Sequence, residues 1–135
     1  MAIHFSLSLL LLLVLCTVTF QSPHTSHTNI TIVVTNSVTS GPSRTYSAYA
    51  VYRGSLFGAM KRLQQSDDFE FTYSEHPDYG PFVESVNGLA GDFSQRTYWQ
   101  LKIRKPDGTI ILADVGVGCY LPTFNDEIIL NFTTY

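Results

Sequence analysis

From Asn29 onward, apolar and polar side chains alternate with a period of two in run after run. That pattern admits a half-buried sheet and little else, because successive residues of a strand point to opposite faces. Ile30, Ile32 and Val34 oppose Thr31, Val33 and Thr35, and Tyr46, Ala48, Ala50 and Tyr52 mark a second strand. Gly41-Pro42-Ser43 breaks the chain between them, so the two are expected to pair as a hairpin. Further alternating runs cover Phe69 to Tyr73, Phe82 to Val86, Tyr98 to Ile103, Thr109 to Ala113 and Glu127 to Thr133. Lys105-Pro106-Asp107-Gly108 places proline and glycine for a tight turn joining two antiparallel strands.

One segment departs from the period. Leu56, Ala59, Met60 and Leu63 fall at helical spacing with Phe57 beside them, while Lys61, Gln64 and Gln65 face water. Ser55 is placed to cap the first turn and Asp67-Asp68 to end the helix, with Lys61 and Arg62 complementing its dipole. A hairpin, one helix and then several strands give an α+β class: β-grasp-like, antiparallel strands packed on one short amphipathic helix.

The N-terminus carries a different signal. Phe5 to Phe20 is uncharged and leucine-rich, shorter than the roughly 20 residues of a membrane span, and followed by polar Gln21-Ser22-Pro23-His24. Residues 1–23 are read as a signal peptide cut between roughly Thr17 and His24, with an uncleaved anchor as the alternative. Residues 24–28 form a loose lead and 29–135 a single secreted, extracellular domain. The net charge of −3 and the absence of basic clustering beyond Lys102, Arg104 and Lys105 argue against nucleic acid. Cys16 lies in the signal segment, so Cys119 is left alone, as a small buried residue or a thiol for an intermolecular bond. Asn29-Ile30-Thr31 and Asn131-Phe132-Thr133 are glycan acceptors in a secretory lumen. Both lie on expected strands, which weakens them as acceptors; Asn29 begins its strand and is freer, and Asn131, pointing opposite Leu130 and Phe132, can face water.

Catalysis finds little to work with. The exported chain has His24 and His27 in the lead and His76 in a loop, with no CxxC, HxxxH or HExxH spacing. Neither catalytic nor metal-ligating residues are assigned, and His76 as an axial cobalt ligand is outweighed by an ordinary surface role. The aromatic content of 13% is more informative. Aromatics on strands usually fill a core, but Tyr79-Gly80-Pro81 and Phe93 sit in turn or loop positions, where rings more often cover a ligand or interface.

Tyr79-Gly80-Pro81-Phe82-Val83, Thr97-Tyr98-Trp99-Gln100-Leu101, Asp114-Val115-Gly116-Val117-Gly118 and the ending Ile128-Ile129-Leu130-Asn131-Phe132-Thr133-Thr134-Tyr135 occur in that order. Together they resemble the C-terminal β domain of the cobalamin carriers: intrinsic factor, transcobalamin and haptocorrin. The resemblance covers Asn29 to Tyr135 and lacks the helical barrel that precedes this domain in the family. It implies a non-enzymatic protein that binds or transports cobalamin or another corrinoid, with a separate helical-barrel chain or a cell-surface receptor as partner. Its alternative is an extracellular protein-interaction module that keeps the fold without the ligand.

By position, the resemblance assigns ligand contacts to Asp78, Tyr79, Gly80, Pro81, Phe82 and Val83. It assigns a second set to Trp99, Gln100, Leu101, Lys102, Ile103, Arg104, Lys105, Pro106, Asp107 and Gly108. Tyr79 stands where the family has tryptophan, and Leu101-Lys102-Ile103-Arg104-Lys105 replaces a Leu-Ser-Gly-like segment, bringing three positive charges to the expected ligand surface.

Overall fold

The computed structural model describes residues 26–135; the signal-peptide assignment and His24 lie outside them. Strands β1 (His27–Asn36) and β2 (Arg44–Val51) form the expected hairpin, Ile32 opposite Tyr46 and His27 opposite Val51. Asn36 starts the turn by accepting the Val38 and Thr39 amides on its side-chain oxygen. Strand β1 begins two residues before Asn29, inside the expected lead, because His27 stacks on Tyr49 at 4.4 Å and extends the pairing.

Helix α1 (Leu56–Ser66) is capped by Ser55, whose hydroxyl accepts the Gly58 amide, and buries Leu56, Ala59, Met60 and Leu63 as their spacing requires. Its first amides, on Leu56 and Phe57, donate to the carbonyls of Tyr120 and Val117 at 2.8 Å, which ties the helix to a distant loop. No basic residue occupies the last turn. Arg62 instead reaches back to the edge of β2, donating to the Tyr49 carbonyl at 3.2 Å and lying over that ring.

The remaining strands are β3 (Phe71–His76), β4 (Gly80–Val86), β5 (Leu89–Ala90), β6 (Thr97–Arg104), β7 (Ile110–Leu112) and β8 (Glu127–Thr134). They divide between two sheets. One has five strands in the order β2-β1-β8-β6-β7, the other three in the order β3-β4-β5. Among the described residues all pairings are antiparallel except one: β8 inserts beside β1 in parallel, Ile128 opposite Ile32. One pairing at the centre of the larger sheet thus departs from the expected antiparallel arrangement, because β8 fills the slot between β1 and β6.

The inner face of that sheet, the apolar face of α1 and the smaller sheet enclose one core. Ile32, Leu56, Met60, Phe69, Ile103, Ile128 and Leu130 are its most deeply buried members. The outer face is more polar, yet it too is closed at one place. Asn131 is only 5% exposed and accepts from the Thr35 and Ser37 hydroxyls at 2.7 and 2.9 Å. Asn131 thus does not face water: the hydroxyls of Thr35 on the neighbouring strand and of Ser37 just beyond it cover its side chain. Asn29 is exposed. Peptide mass mapping of protein passed through a secretory lumen should accordingly find glycan on Asn29 and none on Asn131.

Cys119 is free and exposed rather than buried. Among the described residues no helix is long and apolar enough to cross a membrane.

Candidate ligand-binding groove

Strand β7 is three residues long and β6 is eight, so β7 covers only one end of its neighbour. Between Leu101, held by Ala113, and Thr97, held by Asp92, the edge of β6 pairs with no strand among the described residues, and β4 of the smaller sheet approaches it without pairing. The space between is a groove of about 740 Å³ lined by Phe82, Val83, Ala90, Phe93, Tyr98 and Trp99, with Glu84, Gly91, Thr97 and Tyr135 completing the wall. A second lobe of about 240 Å³ continues past Phe82 and Trp99 towards Pro81, Leu101 and the Leu112–Val117 segment.

Two glycines let the walls close. A Cβ on Gly91 would stand 3.0 Å from the Thr97 carbonyl oxygen, and one on Gly118 would stand 2.7 Å from the Pro81 ring. At the groove mouth Thr97 donates its amide to Asp92 and receives the Asp92 amide on its hydroxyl, fixing the 91–97 loop against β6.

The aromatic residues divide into two kinds. Phe82 is 54% exposed and Phe93 89%, so both offer ring surface to an incoming molecule. Trp99 is 8% exposed; it packs on Phe132 at 5.2 Å and donates its indole N–H to the Leu89 carbonyl at 2.9 Å. It thus links the two sheets and gives the groove only its margin.

Of the first expected contact segment, Pro81, Phe82 and Val83 line the groove. Asp78, Tyr79 and Gly80 belong to the tip of the β3–β4 hairpin outside it, where Tyr79 is 73% exposed and packs on His76. Of the second segment, Trp99, Gln100 and Leu101 line the groove. Lys102 is half-buried on the strand facing Ile129 and Leu112, and Ile103 is sealed in the core. Pro106, Asp107 and Gly108 form the expected tight turn, Asp107 accepting the Thr109 amide and Gly108 taking a φ of 90°. A strand rises about 3.3 Å per residue, so this turn is carried roughly 20 Å or more beyond Trp99.

Two of the three positive charges expected near a ligand are also withdrawn. Arg104 pairs with Glu127 at 3.2 Å. Lys105 donates to both carboxylate oxygens of Asp126 at 2.9 and 3.1 Å, and to the hydroxyls of Tyr120 and Thr123. Asp126 is fully buried and also accepts the Tyr120 hydroxyl at 2.6 Å and the Thr123 amide and hydroxyl at 2.9 and 3.0 Å. Burial alone would raise its carboxyl, but the bonds from Tyr120, Lys105 and Thr123 outweigh that and hold it below the usual carboxylate value. This cluster fastens the 113–126 loop, which walls the smaller lobe and caps α1.

Sequence reasoning did not assign Glu84, Ala90, Gly91, Phe93, Thr97, Tyr98, Tyr135 or the Leu112–Val117 segment to ligand contact. Phe93 and Tyr98 carried a usable signal, an aromatic in a loop and one beside Trp99, and Val115-Gly116-Val117 stood among the family-like motifs. Among the described residues no group of three His, Cys, Asp or Glu side chains could hold a metal ion.

No protein-family model matches the chain. A search of curated proteins finds the cobalamin binding intrinsic factor of Mus musculus, 28% identical over 116 residues, covering 82% of this chain and 27% of that protein. Among solved structures, haptocorrin in complex with Cbi superposes with a TM-score of 0.67 at 19% identity, covering 85% of this chain and 27% of the other. A Ruminococcus gnavus protein described as metal binding superposes at 0.56 with 14% identity, covering 80% of this chain and 98% of that one. The chain thus spans about a quarter of the length of the two named carriers, whereas the bacterial fold match is nearly all one such domain.

Proposed function

We propose that this chain, which resembles the C-terminal β domain of the cobalamin carriers, is a secreted corrinoid-binding module whose groove takes one face of a cobalamin-type macrocycle. One observation carries the reading. Pro81–Val83 and Trp99–Leu101, drawn from the two segments that the family resemblance assigns to ligand contact, meet across a single aromatic-lined cleft although they lie apart in sequence. The cleft is apolar, with exposed Phe82 and Phe93 for a flat ring system and main-chain groups at its margin for peripheral amides.

It is also open along one side. A bound macrocycle would keep its other face free for a helical-barrel chain or a receptor, and binding to this domain alone is expected to be weaker than to a two-domain carrier. The role is binding rather than catalysis.

Calorimetric titration with cyanocobalamin, alone and with a helical-barrel partner supplied separately, tests the reading. Saturable binding is the expected result. Phe82→Ala should weaken it by more than about fivefold, the usual cost of losing an aromatic at a pocket centre. Tyr79→Ala, outside the groove, should stay within about twofold. A folded domain that takes no corrinoid under either condition would overturn the proposal and leave the aromatic rim to a protein partner.

A further inference from the structure

The polar character of the groove is asymmetric. Glu84 is exposed on β4 and is the one charged side chain lining either lobe among the described residues. Of the nearby basic groups, Arg104 is paired with Glu127 and Lys105 with Asp126, while Lys102 and Arg96, the latter over the Tyr135 ring at 5.4 Å, line neither lobe. The one charged side chain in the groove lining among the described residues is therefore negative.

The main chain of β6 supplies a second constraint. The Phe132 carbonyl accepts the Ser37 amide, so the main chain of Phe132 faces β1, and Trp99 opposite it forms a pair that is not hydrogen-bonded. The N–H and C=O of Trp99 consequently point to the other edge. Thr97, bonded to Asp92, and Leu101, bonded to Ala113, flank it on that edge, and no strand among the described residues pairs with Trp99 there. A donor and an acceptor from one residue stand together at the margin of the groove.

Resting on the reading that a corrinoid occupies this groove, we infer that Glu84 and the Trp99 main chain make the site selective for a carboxamide over a carboxylate on the ligand's rim. A carboxamide both donates and accepts, so it satisfies the C=O and the N–H of Trp99 together. A carboxylate only accepts: it leaves the Trp99 carbonyl facing an anion and meets the charge of Glu84. A repulsion between partly exposed unit charges roughly 4–6 Å apart corresponds to about a five- to tenfold loss of affinity, and it should shrink as salt screens it.

The test is calorimetry with cyanocobalamin and with its monocarboxylic acids, each having one peripheral propionamide hydrolysed, at low salt and at about 0.5 M salt. At least one monoacid should bind the wild-type domain about five- to tenfold more weakly than the parent at low salt, with a smaller gap at high salt. Glu84→Gln should narrow that gap about threefold or more, and Glu84→Lys should narrow it further. Monoacids that all match the parent, or a gap that Glu84→Gln leaves in place, would overturn the selectivity while leaving corrinoid binding standing. Absence of binding by every corrinoid would remove the functional reading and the selectivity together.

Discussion

Replacing Asp126 by alanine is expected to cost the domain about 2–4 kcal/mol, because it removes the buried member of an ion pair with half-buried Lys105 and leaves the donors that converge on it unpaired. A domain of this kind has about 5–15 kcal/mol in all, so the change takes a large share. Asp126 is fully buried and receives bonds from Lys105, Tyr120 and Thr123. Without it, four donor groups from three residues converge on an empty place, and the 113–126 loop loses its hold on both the helix N-terminus and the smaller lobe. Urea unfolding should show the lowered midpoint, and a wild-type midpoint would refute the assigned role. The same group sets an acid limit. Its folded-state value is lowered, so its contribution is fully present above the unfolded carboxylate value of roughly 3.9 and is lost only as pH falls through the lower folded value. Between pH 7 and pH 5 Asp126 should cause no loss of stability.

Trp99→Ala should be comparably severe, about 3–5 kcal/mol, because a large ring is removed from the junction of the two sheets. The loss has two parts that a milder variant separates. Trp99→Phe keeps a ring against Phe132 but leaves the Leu89 carbonyl without its indole donor, and should cost about 1–3 kcal/mol. Because β4 and β5 approach β6 through this contact, Trp99→Ala should abolish corrinoid binding by deforming the groove even where the protein remains folded. Folding is to be checked by circular dichroism before each titration. A Trp99→Ala domain with wild-type stability would place the indole at the surface, contrary to its burial.

The parts of the fold that were legible in the sequence are those decided within a few residues. Ser55 and the spacing of Leu56, Ala59, Met60 and Leu63 specify α1 because capping and burial both act within its turns. Pro106-Asp107-Gly108 specifies a turn for the same reason, and Gly41-Pro42-Ser43 ends pairing locally although the first hairpin turns earlier, at Ser37–Thr39. What stayed hidden depends on partners far along the chain. Nothing local to Glu127–Thr134 says that it pairs in parallel with β1, or that Thr35 and Ser37 cover Asn131. The positive charges of Arg104 and Lys105 looked available until Glu127 and Asp126, 23 and 21 residues on, proved to neutralise them. The contact segments were half legible: alternation and family-like motifs located Pro81–Val83 and Trp99–Leu101, but a straight eight-residue strand carries everything after Leu101 away from the groove.

The insertion of β8 has a consequence for biosynthesis. Among the described residues, the strand that separates β1 from β6 is the last of eight in chain order, and its partner β1 is the first. Until Glu127–Thr134 has been made, the larger sheet exists as two unconnected hairpins, β2-β1 and β6-β7, each with an unpaired edge and an uncovered apolar face. Pairing strands about 95 residues apart demands a loop closure that local contacts cannot reward in advance, which slows folding. The nascent domain should therefore stay open to holding chaperones until synthesis has passed β8, and a ribosome stalled before that strand should display a chain that proteases digest as unfolded.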